Sequence, residues 1–259
     1  MKDFLISIFL GALQGLAEFL PISSSGHLVL FQHLFGLETE KLIFFDLVLH
    51  FGTFLSLVFV LNKEFFQKFS SVKNFFSEWT PYFFATLPVI FFGLIVVLFD
   101  LKERLFSEKL VPYTFLFTGI VFLSINFLVK IFPFKQKNLK NQIFTAGIFQ
   151  ATGLFPGVSR SGITTVGAIL SGLQKKEALK VSFFLFFPAV TLAFVEGALD
   201  ILQKGFGEMN WINLIAGFLT SFIVGFFSAK VFLKFFEKIG LKFFGIYMVI
   251  LSIISFLIV

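Results

Sequence analysis

The sequence predicts an all-α, polytopic integral membrane protein: an inverted repeat with six full transmembrane helices and two pairs of re-entrant half-helices. Three observations carry that expectation. Of 259 residues, 57% are hydrophobic and 14% charged, more apolar surface than a soluble domain of this size can bury. Six apolar stretches approach the roughly 20 residues that a bilayer crossing needs. Two further apolar regions, 4–36 and 142–173, are interrupted midway by proline, serine and glycine, as in paired half-helices that enter and turn back.

The six stretches fall at 42–61, 82–99, 112–132, 179–199, 211–233 and 241–259, three in each half. Stretches such as 42–61 and 241–259 are almost free of charge, whereas a soluble fold would carry charges at helical spacing throughout. The 46 phenylalanines stand in for leucine and valine against lipid and carry no chemical meaning of their own. The apolar N-terminus holds Glu18 and lacks a small-residue cleavage site, so it reads as part of the mature chain. Without cysteine there is no disulfide framework, thiolate metal site or thiol nucleophile.

A formal charge of +6 could suggest nucleic acid, but the lysines cluster beside the apolar spans. That is the signature of cytoplasmic loops near anionic lipid headgroups, and nucleic acid is not an expected partner. With loops placed on alternate sides, one side receives Lys63, Lys68, Lys73, Lys135, Lys137, Lys140, Lys175, Lys176, Lys180, Lys234, Lys238 and Lys242, with Lys130 and Lys230 nearby. The other receives Lys2, Lys41, Lys102, Arg104, Lys109 and Lys204. The positive-inside rule assigns the first side to the cytoplasm and both termini to the outside. The stretch 63–79 spaces Phe65, Phe69, Val72, Phe76 and Trp79 helically between lysines, as an interfacial helix or an ordinary loop.

One offset recurs without gaps. Gly11 and Gly147, Gln14 and Gln150, Phe19 and Phe155, Ser23 and Ser159, Ser25 and Ser161, Gly26 and Gly162, and Gly36 and Gly172 each lie 136 residues apart (147 − 11 = 136). The chain is thus one membrane domain, 1–259, with a first repeat over about 1–133 and a second over about 142–259. Three spans per half, an odd number, invert the second copy relative to the first. The two broken regions then enter from opposite faces and their tips can meet near the midplane.

The first tip runs from Glu18 through Pro21, Ser23, Ser24, Ser25 and Gly26 to His27; the second runs from Pro156 and Gly157 through Ser159, Arg160, Ser161 and Gly162 to Thr164. Each serine–glycine cluster sits where a half-helix begins, and helix starts offer unpaired N–H groups and a positive dipole end. Two such starts facing each other, with Arg160 between them, suit an anion with several oxygens, phosphate above all. Ser23, Ser25, Gly26, Ser159, Ser161, Gly162 and Thr164 are the candidate phosphate-binding residues. The bland alternative for the serines is helix capping, and that for Arg160 is a structural pair with Glu18. Against a plain salt bridge stands the density of reactive groups: Glu18, Ser24 and His27 lie within ten residues. His27 lies in the first turn of its half-helix, where a neutral ring can act as base or nucleophile. His33 reads as a packed or interfacial residue. His50, one turn after Asp46, either lines the cavity or packs.

These tips resemble the two signature motifs of the undecaprenyl-diphosphatase family, also called bacitracin-resistance proteins. The first motif spans Gln14 to His27 and the second Pro156 to Thr164, and the agreement extends over essentially the whole chain. The resemblance implies a multi-pass phosphatase of the bacterial inner membrane that removes the terminal phosphate of undecaprenyl diphosphate, regenerating the lipid carrier for cell-wall precursors. It also implies interdigitated inverted repeats, a site opening to the outside, a divalent cation such as Mg2+ or Ca2+, and a homodimer. By position it carries the family's acid to Glu18, its serine to Ser24, its histidine to His27 and its arginine to Arg160. The family's first acidic position, Glu or Gln, is Gln14 here, so a metal site at Glu18 and Gln14 would have one carboxylate rather than two.

On this reading Ser24 attacks the terminal phosphorus, His27 is its base, Arg160 and the second helix start hold the phosphate oxygens, and Glu18 binds the cation or orients His27. Attack by His27 itself, through a phosphohistidine, is the close variant. The rival from another class is a polyprenyl-phosphate flippase or anion transporter, since inverted repeats with broken helices serve alternating access. A membrane scaffold leaves Glu18 and Arg160 unexplained.

Overall fold

The computed structural model describes residues 1–37, 42–131, 136, 138–204 and 210–259. Lys41, Lys135 and Lys137 of the charge count, and the end of the first repeat at 133, lie outside the described residues, as do the side chains of Lys102 and Lys204. Among the described residues all regular structure is helical. The order is α1 (Lys2–Phe19), α2 (Ser24–Leu34), α3 (Ile43–Val60), α4 (Asn62–Gln67), α5 (Val72–Leu98), α6 (Lys102–Leu105), a 3-10 turn (Glu108–Leu110), α7 (Val111–Ile131), α8 (Leu139–Thr152), α9 (Arg160–Leu170), α10 (Lys175–Lys204) and α11 (Trp211–Ser255).

Five of these helices, α3, α5, α7, α10 and α11, are long and apolar enough to cross a membrane. Their outward faces are apolar, with residues such as Phe91, Phe127, Ile223 and Ile253 more than half exposed, as lipid-facing helices require. The last two stretches expected from the sequence run together in α11, and the division falls at Gly240, whose backbone (φ 65°, ψ 176°) is not helical. An unbroken helix of 45 residues would run about 68 Å, over twice the hydrocarbon core. Gly240 breaks it into two limbs of ordinary length.

The expected interfacial helix over 63–79 is corrected. Instead α4 stops at Gln67 and α5 starts afresh at Val72, where the Ser71 hydroxyl accepts from the Asn74 N–H at 3.1 Å. α5 then continues through Pro81 and Pro88 to Leu98. Trp79, 3% exposed, packs among Phe65, Phe69, Phe184 and Phe187. Burying that aromatic surface outweighs the hydrogen bonds the two prolines remove.

The two broken regions become the helix pairs α1–α2 and α8–α9. α1 packs along α11, and α8 along α5. Both crossings are close because glycine lies in them. A Cβ on Gly11 would stand 2.5 Å from the Gly217 carbonyl oxygen, and one on Gly147 would stand 1.9 Å from that of Ala85. These two glycines are partners in the 136-residue offset, which explains that repeated pair. Gly147→Val should therefore force the helices apart and cost about 1–3 kcal/mol or more by overpacking. Gly93→Ala, whose new methyl meets nothing within 4 Å, should be neutral or stabilising. Thermal unfolding of the detergent-solubilised variants checks both signs.

Candidate active site

The site lies where α1 turns into α2 and α8 into α9. Leu20, after α1, is extended, and Pro21 cannot continue the helix. Ser23 then adopts φ 64°, rare for a residue with a side chain, and caps α2 by accepting from the Gly26 N–H at 3.3 Å. In the second pair, Ser159 caps α9 by accepting from the Gly162 N–H at 3.2 Å. Gly157 takes φ 90° and leaves no room for a Cβ beside Thr114, whose hydroxyl donates to the Pro156 carbonyl at 2.5 Å. α7 thereby pins the second tip.

The tips touch in a reciprocal way. A Cβ on Gly26 would lie 2.7 Å from the Gly157 Cα, and one on Gly162 would lie 2.9 Å from the Pro21 Cβ. Both contacts join positions related by the offset: Gly26 matches Gly162 and Pro21 matches Gly157. The Ser161 hydroxyl adds a bond to the Leu20 carbonyl at 3.3 Å. Repeated glycine is what lets two backbones meet and bring Arg160 to the first tip.

Glu18 is the hub. It is 5% exposed, and Arg160 donates to its Oε1 in an ion pair spanning the two tips. Its Oε2 accepts from the Ser24 hydroxyl at 2.6 Å and from the Gln14 amide at 2.9 Å, with His50 Nδ1 at 3.4 Å. The Arg160 guanidinium lies 4.2 Å from the centre of the Phe186 ring, a cation–π contact that fixes its plane. A buried carboxylate with a cation and two further donors is satisfied, which is the condition for a charge at this depth. The structural pair of Glu18 with Arg160 does form, and it draws in Ser24 as well.

His27 has other partners. Its Nδ1 lies 2.7 Å from the Ser23 carbonyl, so that nitrogen donates, and its Nε2 lies 2.7 Å from the Tyr247 hydroxyl, which must then donate to it. Ser24 and His27 are thus both built in, but Ser24 is bonded to Glu18 and His27 to Tyr247. Tyr247→Phe leaves the buried His27 nitrogen without its donor and should cost about 1–3 kcal/mol, read as a lower melting temperature with the membrane-embedded fold otherwise intact.

A cavity of about 350 Å3 opens beside this hub. Glu18, Ser23, Ser24, Ser25, His50, Gln150, Ser159, Arg160 and Ser161 supply its polar wall; Val89, Phe106, Pro156, Val158 and Val190 are among its apolar residues. Among the candidate phosphate ligands, Gly26, Gly162 and Thr164 are not in the wall. Their groups are used elsewhere: the two glycine N–H groups by the caps, and the Thr164 hydroxyl by the Arg160 carbonyl at 2.6 Å. Ser23 and Ser159 cap their helices, as the capping reading expects, and both also line the cavity. His50 lines it too. His33 is half exposed and reaches Glu108 at 3.2 Å, away from the hub.

The donor set for a cation is Glu18 and Gln14. Gln14 is fully buried and its Oε1 has no hydrogen-bond partner among the described residues, while its amide nitrogen is held by Glu18. An orphaned amide oxygen and a carboxylate are the donor types a hard cation takes; Glu18 lines the cavity, and Gln14 lies behind it, outside the wall. No cluster of three or more His, Asp or Glu suited to an all-protein metal cage occurs among the described residues. A second cavity, of about 420 Å3 between α4, α5 and α10, holds the pairs Lys68–Glu78 (2.7 Å) and Lys180–Glu64 (2.5 Å) but, among the described residues, no serine, threonine or histidine.

Sequence comparison gives the chain its relatives. Residues 7–254 match the family model described as bacitracin resistance protein BacA. The chain is 37% identical to an undecaprenyl-diphosphatase of Sulfurimonas denitrificans over 97% of both chains, and 33% identical to one of Persephonella marina over 98% of both. It is 34% identical to an undecaprenyl-diphosphatase of Borreliella burgdorferi over 98% of this chain and 97% of that one. With a match along nearly its whole length, this chain belongs to the bacitracin resistance protein BacA family.

Proposed function

We propose that this chain is an undecaprenyl-diphosphate phosphatase, a membrane hydrolase that releases inorganic phosphate and undecaprenyl phosphate from the polyprenyl diphosphate. The observation that carries the reading is the shared carboxylate of Glu18, with a serine hydroxyl on one oxygen and an arginine on the other. The carboxylate can take a proton from Ser24 as the Arg160 guanidinium turns to the incoming phosphate.

The Ser24 Oγ attacks the terminal phosphorus while its proton passes to Glu18. The bond from that phosphorus to the bridging oxygen breaks, and undecaprenyl phosphate leaves as an anion that needs no proton. Water then attacks the phosphoserine; Glu18 returns its proton to the Ser24 oxygen, and both water protons leave on the inorganic phosphate. Arg160, the Ser25 hydroxyl and the backbone N–H groups that open α9 hold the phosphate oxygens, and His27, tied to Tyr247, positions the first turn of α2. A divalent cation, Mg2+ or Ca2+, held by Glu18 and the Gln14 oxygen, would neutralise diphosphate charge. The polyprenyl tail lies along the apolar wall, where Val89 and Val190 stand.

The finer architecture belongs to the same proposal. The crossings α1–α11 and α8–α5 exchange elements between the halves, which supports interdigitated inverted repeats whose broken helices are re-entrant, with α11 crossing twice about Gly240. The lysine distribution supports a multi-pass protein of the inner membrane with both termini outside. The site then opens outward, the protein recycles the carrier of cell-wall precursors, and it works as a homodimer.

The test is phosphate release from undecaprenyl diphosphate by detergent-purified protein, with and without chelator. Release that requires a divalent cation supports the reading. Folded protein that binds the lipid and releases nothing with any divalent cation supports the flippase or transporter instead.

A further inference from the structure

The two tips are related by the 136-residue offset, but their chemistry is divided. Gln14 matches Gln150, Glu18 matches Leu154, Ser24 matches Arg160 and His27 matches Ile163. The first copy therefore holds the acid, the hydroxyl and the imidazole, and the second holds a guanidinium and an amide. Gln14 keeps its amide nitrogen on Glu18, four residues along α1. Four residues beyond Gln150 stands Leu154, so the same local bond is impossible. Gln150 is 1% exposed, and neither its side-chain nitrogen nor its oxygen has a hydrogen-bond partner among the described residues. Because both ends of the amide are unpartnered, exchanging its oxygen and nitrogen does not remove the anomaly.

A buried amide with both ends unsatisfied destabilises the fold, and a leucine of similar volume would not. Gln150 nonetheless forms part of the wall of the cavity that holds Glu18, Ser24 and Arg160. Such a group has a use only toward what enters that cavity. A diphosphate with its cation offers both halves of the match: non-bridging oxygens for the amide donors, and a cation or protonated oxygen for the amide acceptor.

We propose that Gln150 is a substrate-binding residue, its amide taking hold of the diphosphate head group together with Arg160, so that the second repeat acts as the phosphate-holding half of the site. This rests on the phosphatase reading of the same cavity, and deepens it.

The discriminating variant is Gln150→Leu, because the structural and functional roles move two readouts in opposite directions. If Gln150 binds the diphosphate, the variant melts at or above the wild-type temperature without ligand. Its kcat/KM for undecaprenyl diphosphate then falls by about tenfold or more, mainly through KM, as expected for lost ground-state and transition-state binding. It also loses the thermal stabilisation that methylenediphosphonate, a non-hydrolysable diphosphate, gives the wild type in the presence of Mg2+. Gln150→Asn, which keeps an amide on a shorter stem, should recover part of the affinity. A Gln150→Leu protein with wild-type kcat/KM and wild-type stabilisation by methylenediphosphonate overturns the inference, and so does one that melts well below the wild type. A wild type that binds methylenediphosphonate through Gln150 yet releases no phosphate would refute the hydrolytic reading and leave the ligand assignment standing.

Discussion

Arg160→Ala should lose on the order of 10^3-fold or more in kcat/KM and melt well below the wild type. The two losses have separate causes. The Glu18 carboxylate is buried and Arg160 is the cation bonded to its Oε1, so removing the guanidinium leaves a charge at membrane depth, at a cost of about 3–5 kcal/mol. The catalytic loss arises because, among the described residues, no other arginine or lysine lines the cavity to neutralise the transferring phosphate. Arg160→Lys should recover stability better than activity, since a single ammonium cannot serve Glu18 and the phosphate while stacking on Phe186. Pairing Arg160→Met with Glu18→Gln separates the effects: removing both charges should restore the melting temperature and leave turnover absent. Restored turnover in that pair would make the ion pair merely structural.

Ser24→Ala should lower kcat by about 10^4-fold or more while binding substrate within roughly tenfold of the wild type, the pattern of a lost nucleophile rather than a lost ligand. Its hydroxyl bonds the Glu18 carboxylate at 2.6 Å, so the variant also forfeits one charge-assisted hydrogen bond, about 1.5–3 kcal/mol. The remaining Arg160 and Gln14 donors keep Glu18 satisfied, and the fold should survive. Isothermal binding beside single-turnover phosphate release reads the two quantities separately.

The features that sequence alone makes legible are those with a local or periodic cause. Apolar runs of bilayer length place α3, α7 and α10 closely. The fixed offset brings out Ser23 and Ser159, which prove to be matching caps, and Gly11 and Gly147, which prove to be matching close crossings. The cost of charge in a membrane singles out Glu18 and Arg160 before any contact is known.

What escaped depends on partners far away in the chain. Tyr247 lies 220 residues from His27, and nothing local marks one tyrosine on an apolar helix as its donor. A reading of neighbours in sequence sets His27 beside Ser24 as its base; in space the helix turn carries the ring toward Tyr247 and Phe115 instead. Gln150 appears in the sequence only as the repeat of Gln14, and its missing partner becomes visible only when Leu154 is found at the position of the acid. The spacing over 63–79 fails for another reason: in so apolar a chain, aromatic packing around Trp79 decides where a helix stops and continues.

The most direct test is to label the terminal phosphate of undecaprenyl diphosphate, quench the reaction with wild-type protein within one turnover, and map the labelled peptide. The expected result is a phosphoryl group on Ser24 that disappears as inorganic phosphate is released and never forms in Ser24→Ala. Label on His27, or full turnover with no label retained by the protein, would contradict it.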